Sequence, residues 1–270
     1  MNYTRSVALI TGASSGIGLA LAKELHKKGY NLLLTARREA LLDSISSELN
    51  QIRENSVRFI VADLTELNSS QGGLHEILSY ISNSQVDILF NNAGFGSFGY
   101  LEELSLLDQE KMIYLNIIAP LKLCHAVIPK MKLQGRGKIV NISSLAGFQP
   151  IPYMSTYSGT KAFDFMFSLS LRHELKKFGI DVITVCPGPV DTEFAGVARV
   201  PGTATGVGRD KVESVALDIL KGIENNTEIC IPGLQSKVIN LLMKVIPLRL
   251  KNTLIEYFLR APLMTKRNQK

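Results

Sequence analysis

The chain has 270 residues, 46% hydrophobic and 20% charged, with 30 Lys and Arg against 24 Asp and Glu for a formal charge of +6. That size and apolar content suit one large domain with a substantial core, and exclude disordered, collagen-like and low-complexity chains. No apolar run approaches the roughly 20 residues of a membrane-spanning helix, and the first residues read as no export signal; three scattered cysteines without metal or redox spacing suit a reduced, cytoplasmic setting.

In chain order, short β-branched or leucine-rich runs at 6–11, 30–36, 56–62, 86–90, 137–143, 180–186 and 228–231 predict strands. They are continuously apolar rather than alternating, the pattern of a sheet covered on both faces. Amphipathic stretches at 16–28, 38–53, 72–82, 104–134, 155–178 and 209–224 predict the intervening helices. One crossover helix between successive strands gives an α/β fold, a doubly wound parallel sheet of about seven strands with helices on both faces. Residues 187–208, rich in Gly and Pro, are too long for an ordinary strand-to-helix loop and are expected to form a lid or binding segment.

Directly after the first strand, Gly12, Ser14, Ser15, Gly16, Ile17 and Gly18 form a G-x-x-x-G-x-G turn that opens a helix. The glycines let the backbone approach a pyrophosphate, and the helix offers unpaired N–H groups and its positive dipole end. Strand, turn and helix in this order are the context a dinucleotide site requires. An NAD site places an acid at the end of the second strand, where it accepts from the ribose 2′-hydroxyl. This chain has Thr35-Ala36-Arg37-Arg38 instead, so NADP(H) is expected, with Arg37 the first candidate for the 2′-phosphate and Arg38 readable simply as an exposed helix start.

The charge is uneven. Eight of the 30 bases but one of the 24 acids lie in 233–270, leaving 22 bases against 23 acids before it. A nearly neutral body argues against a nucleic-acid partner. Cys124, Cys186 and Cys230 have neither metal nor redox spacing, and His26, His75, His125 and His173 stand apart, so no metal is expected.

Thr11-Gly12-x-x-x-Gly16-x-Gly18, Asp63-Leu64, Asn91-Asn92-Ala93-Gly94, Asn116, Ser144, Tyr157-x-x-x-Lys161 and Pro187-Gly188-Pro189-Val190-Asp191-Thr192 occur together in one order. In this the chain resembles the short-chain dehydrogenases/reductases, in their NADP-preferring branch, over about residues 5–232. The resemblance implies a Rossmann-type catalytic domain at 1–232, followed by a basic helical extension at 233–270. It implies carbonyl–alcohol interconversion by direct hydride transfer, with Tyr157 exchanging the proton, Ser144 bonding the substrate oxygen, Lys161 holding the nicotinamide ribose and Asn116 supporting a proton relay. It also implies cofactor contacts from Asp63, Leu64, Asn91, Ala93, Gly94, Pro187, Gly188, Val190 and Thr192, and pairing into a homodimer or homotetramer through the helices carrying Asn116 and Tyr157.

The residue types support this chemistry. Tyr157 and Lys161 share a helix face one turn apart, and a nearby ammonium is expected to lower the phenol toward working pH. Ser144 ends a strand, where doubly wound folds place ligand contacts. Ser143 is the neighbouring hydroxyl, but the thirteen-residue spacing favours Ser144. Phe95, Gly96, Phe98, Leu145, Phe148, Tyr153, Phe194 and the 193–208 segment form a mainly apolar set, expected to face a hydrophobic ketone, aldehyde or alcohol. Beyond 232, two apolar stretches with basic stripes, 236–246 and 249–260, are punctuated by Pro247 and Pro262. They suit a peripheral membrane contact, a cap over the substrate pocket or a subunit surface.

Overall fold

In the computed structural model, residues 6–66, 73–200 and 208–267 are described. Seven parallel strands, β1 (Val7–Thr11), β2 (Asn31–Ala36), β3 (Val57–Val61), β4 (Ile88–Asn91), β5 (Gly137–Ile142), β6 (Ile180–Val185) and β7 (Ile229–Cys230), lie in the order β3-β2-β1-β4-β5-β6-β7. The chain winds outward from β1 through β2 to β3, then returns to place β4 on the other side of β1. The carboxyl ends of β1 and β4 therefore flank a switch point, where such sheets leave a crevice for ligands.

Helices α1 (Gly16–Lys27), α2 (Glu39–Ile52) and α8 (Val212–Glu224) bury Leu21, Leu25, Leu42, Val215 and Ile219 in the core on one face. Helices α3 (Gly73–Asn83), α5 (Ala119–Gln134) and α6 (Ser155–Leu175) bury Ile77, Ile81, Leu123, Val127 and Leu171 in the core on the other. Successive strand residues serve opposite cores: Ile10 and Leu9, Leu34 and Leu33, Phe90 and Leu89, Val140 and Ile139. That is why the strands read as continuous apolar runs; the pleat sends each neighbour to a different covered face.

The expected 104–134 helix is three joined pieces: α4 (Leu106–Ile113), a π-helical turn (Tyr114–Ile118) and α5. The long loop contains a short helix, α7 (Phe194–Val197), and Val190 pairs with Asp210 to close its base; residues 201–207 lie outside the described ones. The extension forms α9 (Leu234–Val245) and α10 (Leu248–Arg267). Pro247 separates the two, but Pro262 does not end α10 as expected: the helix runs on through it to Arg267.

A further correction concerns length and hydropathy. Leu106–Gln134 is a helical run long and apolar enough to cross a membrane by those criteria alone. Asp108, Glu110, Lys111, Lys122, Lys130 and Lys132 interrupt it, which hid it from a search for one uncharged apolar run. In the fold it covers the sheet with Leu123, Val127 and Met131 and leaves Leu106, Leu107, Leu121 and Leu133 exposed.

Candidate active site

Gly12 takes φ +66°, and a Cβ there would stand 2.9 Å from Ala93 Cα, so the phosphate turn closes against the turn after β4. The Thr11 hydroxyl fastens the two: it donates to Phe90 O at 3.2 Å and accepts from the N–H groups of Asn92 and Ala93, each at 2.9 Å. Ser15 precedes α1 in extended backbone without capping it, and no acid stands in the first turn. The helix therefore keeps its N–H groups and positive end for an anion.

Arg38, not Arg37, reaches this turn. Its Nε and Nη2 donate to Ser14 Oγ at 3.2 and 3.1 Å, and Nη2 lies 2.9 Å from Glu193 Oε2. The guanidinium holds the Glu193 carboxyl below its ordinary value, with the Ser15 hydroxyl helping. Arg37 is more exposed and 4.0 Å from Asp63 Oδ2, whose other oxygen accepts from Thr65 N and Oγ1. The Asn91 side chain points into the core, donating to Asn141 Oδ1 at 2.8 Å, so only its backbone faces outward. Leu64 is likewise packed in the core.

The catalytic candidates meet at the carboxyl ends of β4 and β5. Ser144 caps the short turn Leu145–Phe148, accepting from Ala146 N at 3.1 Å, its hydroxyl reaches Pro187 O at 3.4 Å, and it acts to lower the Tyr157 phenol. The Ser143 hydroxyl is taken up elsewhere, donating to Lys161 O at 2.8 Å. Asn116 sits in the π-helical turn, 1% exposed; it accepts from Phe95 N and donates to Phe95 O and Thr160 Oγ1, both at 3.0 Å. Wide turns of this kind recur at functional positions because they re-aim a side chain that a regular helix would point elsewhere. A Cβ on Gly94 would stand 3.2 Å from Asn116 Oδ1 and 3.7 Å from Lys161 Nζ. Glycine therefore leaves an open cradle between these groups, of the kind a cofactor ribose needs.

Tyr157 departs from expectation. Burial pushes its phenol above the ordinary value of 10, and Lys161 and Ser144 only partly hold it back. The sequence gives the attraction between the two side chains, but not the desolvation that outweighs it. Lys161 donates to Ile142 O at 2.8 Å and to Asp164 Oδ2 at 2.9 Å. Nothing in the motif pointed to Asp164, which in sequence is one more polar residue on a helix.

Residues 6–203 match the family model described as short chain dehydrogenase. The chain belongs to the short-chain dehydrogenase/reductase family. It is 33% identical over 252 residues to the very-long-chain 3-oxoacyl-CoA reductase of Anas platyrhynchos, covering 88% of this chain and 78% of that one. A short-chain dehydrogenase from Sphingobium yanoikuyae in complex with NADPH superposes with TM-score 0.79 at 32% identity, covering 90% of this chain and 96% of that one. The bulky-bulky ketone specific alcohol dehydrogenase from Comamonas testosteroni does so with TM-score 0.75 at 31% identity, covering 90% and 95%. Members of this family are oxidoreductases acting on CH–OH and C=O groups, and this chain is one.

On the substrate side of this short-chain dehydrogenase/reductase, the Phe194 ring lies 5.3 Å from Tyr157. Phe98 and Tyr153 meet edge-on and pack with Ile151, Met154 and Val200 beneath Ile255 and Leu259 of α10. Phe148 is instead taken up by Phe165, 4.8 Å away. The extension is also tied to the loop after β6. Gly188 N donates to Ser236 Oγ at 3.0 Å, and Ser236 Oγ donates to Asp210 Oδ2 at 2.6 Å. Thr192 lies over Gly16, so the same loop spans both halves of the crevice. Ser236 and Leu259 carry no sequence signal, because their roles come from where α9 and α10 fold back.

Proposed function

We propose that this enzyme uses NADPH to reduce a hydrophobic ketone or aldehyde, and runs the reverse reaction on the alcohol. The observation that carries the reading is the buried Tyr157 phenol, which Ser144 and Lys161 act to lower and whose ring lies 5.3 Å from Phe194. A bound nicotinamide cofactor supplies the hydride that reaches the carbonyl carbon. Tyr157 Oη gives its proton to the carbonyl oxygen, Ser144 donates a hydrogen bond to that oxygen, and the Lys161 ammonium offsets the charge left on the phenol. Asn116 holds the Phe95 backbone and, with Lys161, borders the cradle at Gly94 through which a water chain would resupply the proton. The phosphates would lie on the 12–18 turn, with Asp63, Ala93, Pro187, Val190 and Thr192 along the cofactor. The bulky ketones and very-long-chain 3-oxoacyl-CoA in the relatives' names support an apolar substrate. The test is NADPH consumption over aldehydes, bulky ketones, steroids, quinones, sugars and acyl thioesters, with Tyr157→Phe as control. Turnover that survives Tyr157→Phe refutes the mechanism; NADPH binding with no turnover on any carbonyl points to a redox-sensing module.

Residues 1–232 form the catalytic unit in this reading and 233–270 its extension. Exposed Leu106, Leu121 and Leu133, with Met166 of α6, support pairing of subunits through the helices that carry Asn116 and Tyr157. Three buried free cysteines support a reducing, cytoplasmic setting.

A specific observation favours membrane contact as well. Leu234, Leu241, Val245, Leu248, Tyr257 and Phe258 of the extension are exposed, beside Lys237, Lys244, Arg249 and Arg260. Apolar side chains edged by bases match an anionic lipid surface, and α10 roofs the substrate side. Sedimentation with phosphatidylcholine vesicles, with and without phosphatidylglycerol, tests this. Binding is expected to need the anionic lipid and to be lost in Leu241→Glu/Phe258→Glu. Equal binding by both forms, or a dimer that the double substitution dissociates and vesicles do not, overturns it.

A further inference from the structure

Lys161 and Asp164 are three apart on α6, so their side chains leave the same face, and both are nearly withdrawn from water, at 7% and 6% exposed. Nζ lies 2.9 Å from Asp164 Oδ2, and the ammonium also donates to Ile142 O at 2.8 Å. Asp164 is held in turn by its backbone, whose carbonyl accepts from Ser168 Oγ at 2.6 Å, and Ser168 accepts from Asn141 of the neighbouring strand at 2.8 Å. A buried ion pair is seldom a stabilising device, since desolvating two charges offsets their attraction. This one lies a single turn from the reacting phenol.

We propose that Asp164 is a positioning residue for Lys161: its buried carboxylate anchors the ammonium and, as a negative charge at the site, offsets that ammonium's stabilisation of the Tyr157 phenolate. This rests on Tyr157 being the proton donor.

The titratable groups facing the pair are Tyr157 on its own helix, Cys124 of α5 and Cys186 beyond β6. Burial pushes both thiols up to about 12, so they stay neutral, and the carboxylate paired with Lys161 at 2.9 Å is the anion Asp164 brings to the site. Burial alone would lower the Lys161 ammonium; Asp164 and Tyr157 together carry it above its ordinary value, so it stays charged. Asp164 itself is raised by burial, against the pull of Lys161. On Tyr157 the carboxylate acts against Lys161, adding to the effect of burial. The phenol thus keeps its proton to higher pH than a Tyr–Lys pair without the carboxylate would. That favours its use as a donor, in the direction of carbonyl reduction.

The sign of the test follows. Removing the negative charge lets the Tyr157–Lys161 pair lose its first proton at lower pH, whichever of the two groups gives it up. Asp164→Asn keeps the shape, while Asp164→Leu removes the charge and leaves no unpaired amide, so together they separate charge from fold. Both are expected to bring the high-pH fall of reduction activity down by about one pH unit or more, with Asp164→Glu staying near the native profile. Ultraviolet difference titration of the phenolate reads the same displacement with no substrate present, and Tyr157→Phe must abolish it. An unchanged profile and titration in either folded neutral variant overturns the proposal. Turnover that survives Tyr157→Phe would instead remove the reading beneath it.

Discussion

Replacing Arg38 by Ala should change which cofactor binds while leaving the fold almost untouched. In the protein alone, Arg38 is bonded to Ser14 Oγ and paired with Glu193 through side chains 44% and 59% exposed. An exposed pair of this kind contributes no more than about 1 kcal/mol, which lowers Tm by about 2–4 °C at most. Toward a 2′-phosphate the same guanidinium would make charge-assisted hydrogen bonds worth about 1.5–3 kcal/mol, or roughly 10- to 150-fold in Kd. Arg37 is 67% exposed and lies 4.0 Å from Asp63 Oδ2, so Arg37→Ala should cost only a few-fold. NADH lacks the phosphate, so its Kd should hold within about twofold in each variant. Nicotinamide fluorescence titration of both cofactors with the native enzyme, each single variant and the double variant gives the ratio directly. A double variant that keeps the native NADPH/NADH ratio would refute the reasoning, since no other guanidinium leaves the end of β2.

Two further outcomes are expected. Ser236→Ala removes the donor to the buried Asp210 carboxylate and the acceptor of Gly188 N–H; a destabilisation of about 1–3 kcal/mol, read by urea denaturation, should come with weaker NADPH binding. Unchanged cofactor affinity would show that the extension does not brace the nicotinamide loop. His26 is buried against Ser56 Oγ at 2.9 Å, and burial, then Arg53, lowers its imidazole below 6.5. The unfolded chain therefore binds more protons between that lowered value and about 6.5. Stability should be fully present above this window and fall as pH drops through it, and His26→Gln should flatten that step in Tm against pH. A step unchanged in the variant would place its origin elsewhere.

Strand positions, the order of elements and the glycine turn were legible in the residues because each rests on local chemistry, while the candidate catalytic residues were marked by the family resemblance. Continuous apolar runs imply two covered faces, glycines after β1 imply a close backbone approach, and Tyr157 and Lys161 share a helix face by spacing alone. Of Arg37 and Arg38, adjacent and identical in type, the one that reaches Ser14 depends on how the chain turns from β2 into α2, and no pattern in sequence carries that turn. Ser143 and Ser144 differ in the same way: alternate positions at a strand end point to opposite sides, and only the pairing with α6 shows which side holds Tyr157.

By itself, then, the sequence determined the doubly wound sheet and the glycine turn after its first strand, because periodicity and spacing act within a few residues, while the resemblance to the family singled out Asn116, Ser144, Tyr157 and Lys161 as candidates. The tertiary structure decided the electrostatics and the closure of the site. Burial, not proximity to Lys161, governs the Tyr157 phenol, and Asp164 became part of the site only when α6 was packed on the sheet. The extension packs Leu259 against Phe98 and its neighbours and accepts from Gly188 N–H through Ser236. Desolvation and long-range contact are properties of the surrounding volume, and that volume is assembled from segments far apart in the chain.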